Sequence, residues 1–216
     1  MKQSLRAKVY EDIKSKILLF DLKPGDKINE NNIASRLKIS RTPVREAFLM
    51  LENEDLIRCD DSLGFIIKKL SYKDAEEYFS FREALEIYAA PMILKNIAPS
   101  EIKGLENNIK KAKAYAKGND FRNTVKCEGD FHDILYNSTK SKIFFKTISG
   151  LVYKFQWLRA ISLKAPGGVN DSLKGHEEMF KAITSKDLKR FKQSIRSHIA
   201  EAKRRALENG RFFLEE

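Results

Sequence analysis

Residues 31–51 constrain the fold more than any other part of this chain, because they read as two helices joined by a short turn. Ile33, Ala34 and Leu37 stand at positions i, i+1 and i+4, the spacing of an apolar stripe on an amphipathic helix. Residues 38–40 then interrupt the apolar pattern before a second helix begins. This arrangement predicts a helix-turn-helix.

The second helix is predicted to begin near Ser40 or Thr42, since either side chain can cap a helix N-terminus. Pro43 then falls in the first turn, where a missing N–H group costs nothing. One face of this helix is apolar at helical spacing and consists of Val44, Ala47, Phe48 and Leu51. That face is expected to pack against the rest of the domain.

The opposite face of the second helix carries Arg41, Thr42 and Arg45. A helix-turn-helix places the N-terminal part of its second helix in the major groove, where a guanidinium can bind O6 and N7 of guanine or a phosphate. We therefore expect these three residues to contact double-stranded DNA. The plainer interpretation is a solvated amphipathic helix with two surface arginines, and the combination of turn, cap and proline favours the DNA-reading one.

A small β-hairpin is predicted after the second helix. Residues 56–59 and 65–68 are β-prone and flank residues 60–64, a loop that ends in a glycine. A hairpin in this place forms the wing of a winged helix-turn-helix, whose tip lies along the sugar-phosphate backbone. Arg58 and Gly64 are therefore further candidates for DNA contact.

The charge of the chain supports a polyanionic partner only weakly. The formal net charge is +11, but residues 1–70 carry 14 Lys and Arg against 11 Asp and Glu, and the remainder carries 27 against 19. The excess is therefore not concentrated in the segment with the DNA-reading motif. A lysine-rich surface serves solubility as often as binding.

The cysteines and the N-terminal residues indicate the compartment. Cys59 and Cys127 do not form a Cys-x-x-Cys pair, so we expect free thiols in a reducing environment. Residues 1–20 mix charges with apolar residues at every fourth position, which is typical of an amphipathic helix rather than of a signal peptide. No apolar run approaches the roughly 20 residues that a bilayer span needs. We expect a cytoplasmic protein with no membrane partner.

Beyond Leu70 the sequence carries helix signals and no strand signal. Helices are predicted at residues 72–97, 100–117, 120–139, 141–163, 171–184 and 187–209. The expected fold class is mainly α. A winged helix-turn-helix with a small β-hairpin wing would occupy residues 1–70, and an all-α helical bundle would occupy residues 71–216.

The chain has three histidines, His132, His176 and His198, and each lies on a different predicted helix of the bundle. Glu128 stands four residues before His132, so the carboxylate and the imidazole share one helix face. Three imidazoles and one carboxylate would suit a divalent Zn, Ni, Mn or Fe ion with coordination positions left open. Each histidine taken alone is more often a packed or surface residue than a metal ligand, so both interpretations remain open at this point.

These motifs resemble the GntR superfamily of bacterial transcription regulators over nearly the whole chain. The segment from Leu5 through residues 39–47, Ile-Ser-Arg-Thr-Pro-Val-Arg-Glu-Ala, is similar to the winged-helix signature of that family. The helical domain resembles the effector-binding domain of the FadR-like branch, whose opening helix carries an Arg-x-x-x-Glu pattern such as Arg82 to Glu86 here. His132, His176 and His198 fall where metal-binding members carry their ligands.

The resemblance implies a homodimer whose helical domain dimerises and binds a small organic acid at the metal ion, changing the affinity for a palindromic DNA operator. Arg82 or Arg159 would hold a second carboxylate oxygen of this effector, although Arg82 could instead pair with Glu86 on the surface. The family usually has Asp at the position of Glu128, so Asp130 is an alternative ligand, but its helical phase points away from His132.

The DNA-binding half departs from the family pattern in several places. Asn31 stands where some members carry a DNA-contacting arginine, which makes it a further candidate contact. Asp60 and Asp61 would repel phosphate at the wing. Asp55 replaces the glycine that commonly follows the reading helix, and we expect the turn to survive because Asp tolerates the left-handed conformation.

Three rival functions follow from the same residues. A metal sensor without an organic effector would use the same ligands. A metal-dependent enzyme would need a further general acid or base, and the sequence shows none at a suitable spacing, so we expect no enzyme. A structural DNA-binding protein without a ligand would have a wholly apolar bundle interior.

Overall fold

The computed structural model describes residues 4–60 and 64–215. The chain forms two compact units, one consisting of Met1–Ser71 with Phe212–Glu216 and the other of Tyr72–Arg211. The described residues contain ten α-helices and five short strands. This confirms the expected mainly α fold class with a small β-hairpin next to a helix-turn-helix.

The first unit places three helices before its hairpin. Its elements are α1 (Leu5–Leu18), β1 (Lys27–Ile28), α2 (Glu30–Leu37), α3 (Arg41–Asn53), β2 (Ile57–Asp60), β3 (Gly64–Ile67), β4 (Leu70–Ser71) and β5 (Leu214–Glu215). Helix α2 begins at the side chain of Asn29, which accepts hydrogen bonds from the N–H groups of Asn31 and Asn32. It ends at Lys38, which adopts a left-handed conformation with φ 54°.

The start of α3 differs in detail from the prediction. Ser40 occupies the N-cap position but its side chain makes no capping hydrogen bond, and Thr42 lies inside the helix. Pro43 is the third helical residue, within the first turn as expected. The end of α3 has a Schellman geometry, because Leu56 N–H donates to the Leu51 carbonyl and Asp55 N–H donates to the Glu52 carbonyl. Asp55 has φ 60°, so the left-handed turn forms without glycine.

The wing is part of a three-stranded antiparallel sheet in the order β1-β3-β2. Lys27 pairs with Ile66 and Ile57 pairs with Ile67, so a short segment between α1 and α2 adds a third strand to the hairpin. Asp61 belongs to the predicted acidic wing tip, and residues 61–63 lie outside the described residues. The strands on either side of this tip, Ile57–Asp60 and Gly64–Ile67, lie one residue nearer the tip than the predicted ranges 56–59 and 65–68.

The expectation of no strand beyond Leu70 was wrong. Strand β5 pairs in parallel with β4, in the register Leu70 with Leu214 and Ser71 with Glu215. Leu70 and Leu214 are buried, and the ring of Phe213 lies 4.3 Å from the ring of Phe20, centroid to centroid. A two-residue strand has no periodicity of its own, so its pairing depends on contacts with distant residues.

The second unit consists of helices alone among its described residues. They are α4 (Tyr72–Asn96), α5 (Pro99–Lys117), α6 (Phe121–Ser138), α7 (Lys142–Ser149), α8 (Val152–Lys164), α9 (Gly168–Thr184) and α10 (Leu188–Asn209). The single helix predicted at residues 141–163 is two helices, because α7 ends at Gly150 and α8 begins after Leu151. No helix in the described part of the chain is both long enough and apolar enough to cross a membrane.

Helix α8 forms the centre of this bundle. Every residue from Trp157 to Leu163 is buried, so this helix has no solvated face along that stretch. Helices α4, α6, α9 and α10 each bury an apolar stripe together with at least one polar side chain. The polar side chains meet in the interior and form the candidate site described next.

Candidate functional site

The reading helix α3 has the two faces that its sequence predicts. Val44, Ala47, Phe48 and Leu51 are completely buried. Arg41, Thr42 and Arg45 are exposed, and the side chain of Arg41 is 68% accessible although one of its nitrogens lies 3.7 Å from Glu30 Oε2. An exposed helix face with two guanidiniums near its N-terminus can contact base edges and phosphates.

The other candidate DNA contacts are also accessible. Asn31 at the start of α2 and Arg58 on β2 are exposed. Gly64 begins β3 with φ 81°, a left-handed conformation that favours glycine, and a Cβ atom there would lie 3.7 Å from the Ile28 carbonyl oxygen. The backbone conformation, and not lack of space, therefore favours glycine at this position.

The three histidines come together in the interior of the second unit. His132 lies on α6, His176 on α9 and His198 on α10, and all three are buried. One nitrogen from each ring can be chosen so that the three lie within 4.8 Å of one another. The Nε2 atoms of His132 and His176 are 3.3 Å apart. We call these three residues the histidine cluster.

Aromatic packing and a buried carboxylate fix the orientation of two of these rings. The ring of Phe131 stacks on His176 at 3.9 Å, with an interplanar angle of 7°. Glu86 Oε1 lies 3.3 Å from Nδ1 of His132 and accepts hydrogen bonds from Arg82 Nε and the Tyr136 hydroxyl. Sequence reasoning did not place Glu86 or Tyr136 in the site. The i, i+4 relation of His132 and Tyr136 on α6 was the signal that could have indicated one of them.

Arg82 is buried and not on the surface, so the surface pairing with Glu86 considered from the sequence was wrong. Its Nη2 atom lies 3.0 Å from Nε2 and 3.4 Å from Nδ1 of His132. A hydrogen-bond donor that lies in the plane of an imidazole can approach only one of its two ring nitrogens. Because Arg82 Nη2 is close to both nitrogens of His132, it lies against the face of the ring. The in-plane lone pair of His132 Nε2 is therefore left available to a ligand.

The carboxylate of Glu128 is in the interior, whereas that of Asp130 is not. Glu128 Oε2 lies 3.4 Å from His176 Nε2 and accepts a hydrogen bond of 2.6 Å from the Ser172 hydroxyl. Asp130 is partly exposed and pairs with Lys126 at 2.7 Å. The geometry therefore favours Glu128 over Asp130 as the carboxylate of the site, in line with the helical phase.

Arg159 extends from α8 to the same interior. Its Nη1 atom donates a hydrogen bond of 3.1 Å to the backbone carbonyl of Glu128. Several buried polar atoms around the cluster have no hydrogen-bond partner among the residues that the structure describes: Arg82 Nη1, Arg159 Nε, Glu128 Oε1 and His198 Nε2. Buried polar atoms without partners are costly, so their grouping indicates a site for a ligand.

Burial keeps the histidine cluster neutral. It lowers the pKa of His132 to about 3, with Arg159 contributing, and it lowers the pKa of His176 and His198 well below the ordinary value, with the neighbouring histidines contributing. Burial raises the pKa of Glu128 to about 7, against the hydrogen bond from Ser172. Burial would also raise the pKa of Glu86, but the charge of Arg82 holds it well below its ordinary value. Neutral imidazoles are the form that binds metal ions.

The histidine cluster fits a divalent metal ion. Two nitrogens bound tetrahedrally to one zinc ion, each at about 2.0–2.1 Å, lie about 3.3–3.4 Å apart, close to the distance between the two Nε2 atoms. Glu128 Oε1 and His198 Nε2 supply further donor atoms that have no other partner among the described residues. The three histidines could thus hold a metal ion, and Glu128 lies beside them.

A cleft of about 870 Å³ leads to this site along α9 and α10. Its lining includes His198, Arg159, Ser172 and Gly175, together with an ion pair between Asp171 and Arg205 nearer the end of α10. Serine and charged side chains contribute polar groups to a lining that is otherwise mostly apolar. A small polar molecule could reach the histidine cluster by this route.

Comparison with known proteins connects the two halves of the chain to two families. Residues 5–67 match the family of bacterial regulatory proteins, gntR family, and residues 77–201 match the FCD domain family. The uncharacterised HTH-type transcriptional regulator YdhC of Bacillus subtilis is 26% identical over 190 residues, which cover 88% of this chain and 85% of that protein. The HTH-type transcriptional repressor RspR of Escherichia coli is 23% identical over 92% of this chain and 87% of its own length.

The fold is also similar to a solved structure. E. coli McbR/YncC superposes with a TM-score of 0.83 at 20% sequence identity, over 97% of this chain and all of that one. The relatives are transcription regulators, which supports a regulator and not an enzyme. From the two family matches and the fold, this chain belongs to the GntR family of transcription regulators, in the FadR-like branch that combines a winged helix-turn-helix with a C-terminal FCD domain.

Proposed function

We propose that this protein is a ligand-responsive regulator that binds a palindromic DNA operator as a homodimer. Its affinity for DNA would be changed by a small carboxylate that binds at a divalent metal ion in the helical unit. The observation that carries the proposal is the grouping of three buried, neutral imidazoles within 4.8 Å of one another.

His132, His176 and His198 would hold the ion, with Glu128 as the carboxylate ligand. When bound, the ion would supply a Lewis-acidic centre that attracts an oxygen donor. Imidazole and carboxylate ligands suit Zn, Ni, Mn or Fe. The partnerless Oε1 of Glu128 supports this assignment, because a buried carboxylate oxygen gains most from a cation.

A carboxylate effector is supported by the charges around the cluster. Arg82 and Arg159 are both buried, and each has a nitrogen without a partner among the described residues. A guanidinium binds a carboxylate with paired hydrogen bonds, so these two side chains would hold the acid group that the ion attracts. The cleft along α9 and α10, with Arg159, Ser172 and His198 in its lining, would admit such an acid.

A homodimer is supported by exposed apolar side chains on two helices of the second unit. Phe81 and Tyr88 on α4 are 47% and 65% exposed, and Ile143 and Phe145 on α7 are 81% and 51% exposed. Large exposed apolar side chains are candidates for an interaction surface. A second copy of the chain would cover them and would present two reading helices to a two-fold symmetric operator.

The metal site is tested by metal analysis of the purified protein and by ion-binding titration. The His132→Ala/His176→Ala/His198→Ala variant should lose the ion and the rise in Tm that the ion causes, since an ion that binds only the folded state stabilises it. Glu128→Gln should weaken binding, whereas Asp130→Asn, the matched control on the same helix, should not. Full metal content in the triple variant would place the ion elsewhere.

The effector is tested by titrating mono-, di- and tricarboxylates against the metal-loaded protein, with operator binding as the readout. An acid that weakens DNA binding should itself bind more weakly to the DNA complex, by the same factor. Arg82→Met and Arg159→Met should lower acid affinity more than metal affinity. If metal removal alters operator affinity and no acid does, the protein is a metal sensor.

Operator binding is tested by footprinting on genomic DNA fragments. Protection of two half-sites related by dyad symmetry is the expected pattern, with loss of affinity when one half-site is replaced. Protection that spreads evenly along any duplex would contradict a specific operator.

A further inference from the structure

Helices α9 and α10 approach each other closely where Gly175 faces the imidazole of His198. A Cβ atom on Gly175 would lie 2.5 Å from Nδ1 of His198, 3.2 Å from its Cγ and 3.3 Å from its Cβ. The shortest of these distances is far inside van der Waals contact, and His198 is itself buried. No residue with a side chain can therefore occupy position 175 while His198 keeps its place.

We propose that Gly175 is a positioning residue for the metal site, because its missing side chain lets His198 lie against α9 and reach the other two histidines. The proposal rests on the proposed metal site. His176 follows Gly175 directly, and the ring centroids of His198 lie 4.9 Å from His176 and 5.6 Å from His132. If the His198 ring were pushed away from α9, its distances to the rings of His176 and His132 would change.

The helix itself gives no reason for glycine at this position. Gly175 lies in the interior of α9, Gly168–Thr184, where glycine is less favourable than alanine. The backbone of Gly175 is helical and does not adopt the left-handed conformation that would favour glycine. Close packing against His198 is the remaining reason for it. Gly104 in the interior of α5 provides a contrast, since a Cβ atom there would lie 3.6 Å from Ile134 Cδ1, an ordinary contact.

A double-mutant cycle in metal-free protein tests the contact. Gly175→Ala should lower Tm in the wild-type background and raise it in the His198→Ala background, where the imidazole is gone and alanine's helix preference remains. Gly104→Ala, the matched control, should not lower Tm in either background. If Gly175→Ala does not fold but Gly175→Ala/His198→Ala does, the conclusion is the same. Equal effects of Gly175→Ala in both backgrounds would overturn the proposal.

Ion binding tests the positioning role. Zn²⁺ affinity is measured by competition with a chelator, and Co²⁺ absorption in the visible range reports on the coordination geometry. Gly175→Ala should lower affinity at least tenfold and change the Co²⁺ spectrum, but it should cause no further loss when His198 is already alanine. Wild-type Zn²⁺ affinity and an unchanged Co²⁺ spectrum in Gly175→Ala would overturn the proposal. A wild-type protein that binds neither ion, with the thermal coupling intact, would instead overturn the proposed metal site.

Discussion

Among single residues, the buried carboxylate of Glu86 determines which nitrogen of His132 faces the histidine cluster. Its pKa is held well below the ordinary value, chiefly by Arg82 against the effect of burial, so the carboxylate is ionised and can accept a hydrogen bond from the Nδ1–H group of His132, 3.3 Å away. The Nε2 atom of His132 is then left with a lone pair for a metal ion. In the proposed metal site, Glu86 would therefore act through His132 and would not itself be a metal ligand.

Glu86→Gln should lower metal affinity by roughly 10- to 100-fold, the usual effect of removing the hydrogen-bond partner of a metal-binding histidine. Glu77→Gln, an exposed position on the same helix, is the control and should bind metal as the wild type does. Chelator competition on both variants gives the comparison. Equal affinities for the two variants would show that Glu86 does not set the tautomer of His132.

At the scale of secondary-structure elements, α3 separates its packing face from its reading face completely. Arg45→Ala should cost on the order of 1–3 kcal/mol of operator affinity and relax specificity at one position in each half-site, if its guanidinium binds a base edge. Arg45→Lys keeps the charge but loses the planar guanidinium that makes paired hydrogen bonds to a base. Relative to Arg45→Ala, it should regain affinity for non-specific DNA but not specificity. Binding to operators with single base changes measures both. Equal loss on all sequences would indicate a phosphate contact.

Strand β5 is a second element with a defined energetic role, since it buries Leu214 within the first unit, beside β4. Leu214→Ala should lower the free energy of unfolding by about 2–5 kcal/mol, the usual range for a buried leucine. Glu215 on the same strand is exposed, so Glu215→Ala should change the free energy of unfolding little. Urea unfolding provides the measurement, and equal midpoints for the two variants would contradict the packing of β5.

For the whole molecule, the buried titratable groups predict how stability depends on pH. Unfolded histidines take up protons below about pH 6.5, whereas the pKa of His132 in the folded protein is about 3 and those of His176 and His198 lie well below the ordinary value. The unfolded state therefore binds more protons on acidification. The pKa of Glu128, raised to about 7, acts in the opposite direction, because its stabilisation is present at low pH and lost as the pH rises through 7.

Three histidines outweigh one glutamate, so the metal-free protein should lose stability as the pH falls from about 6.5, by at most about 1.4 kcal/mol per pH unit for each net proton. Glu128→Gln removes the opposing group and should steepen the loss. Urea unfolding at several pH values tests this. A histidine-free triple variant with the same pH profile as the wild type would contradict it.

The sequence by itself determined the features that depend on local spacing. The stripe of Val44, Ala47, Phe48 and Leu51 fixed both the existence of α3 and its outward arginines, because helical periodicity is a property of neighbouring residues. The three histidines stood out because the sequence has only three, each on a different predicted helix, and Glu128 because it lies four residues before His132 on the same helix face. Helix and strand signals along the chain predicted the fold class, which the structure confirms, and the motifs predicted the family, which the family matches confirm. The roles of the site residues stay predictions.

Only the tertiary structure decided which faces of distant helices meet. His132 and His198 are 66 positions apart, on different helices. A small error in the predicted rotation of either helix would point its side chain away from the other histidines. Arg82 and Glu86 form the expected i, i+4 pair, but whether that pair is exposed or buried depends on the helices packed around it. The pairing of β5 with β4 and the contact of Gly175 with His198 leave no local pattern at all, because each is a packing relation between segments that the sequence separates.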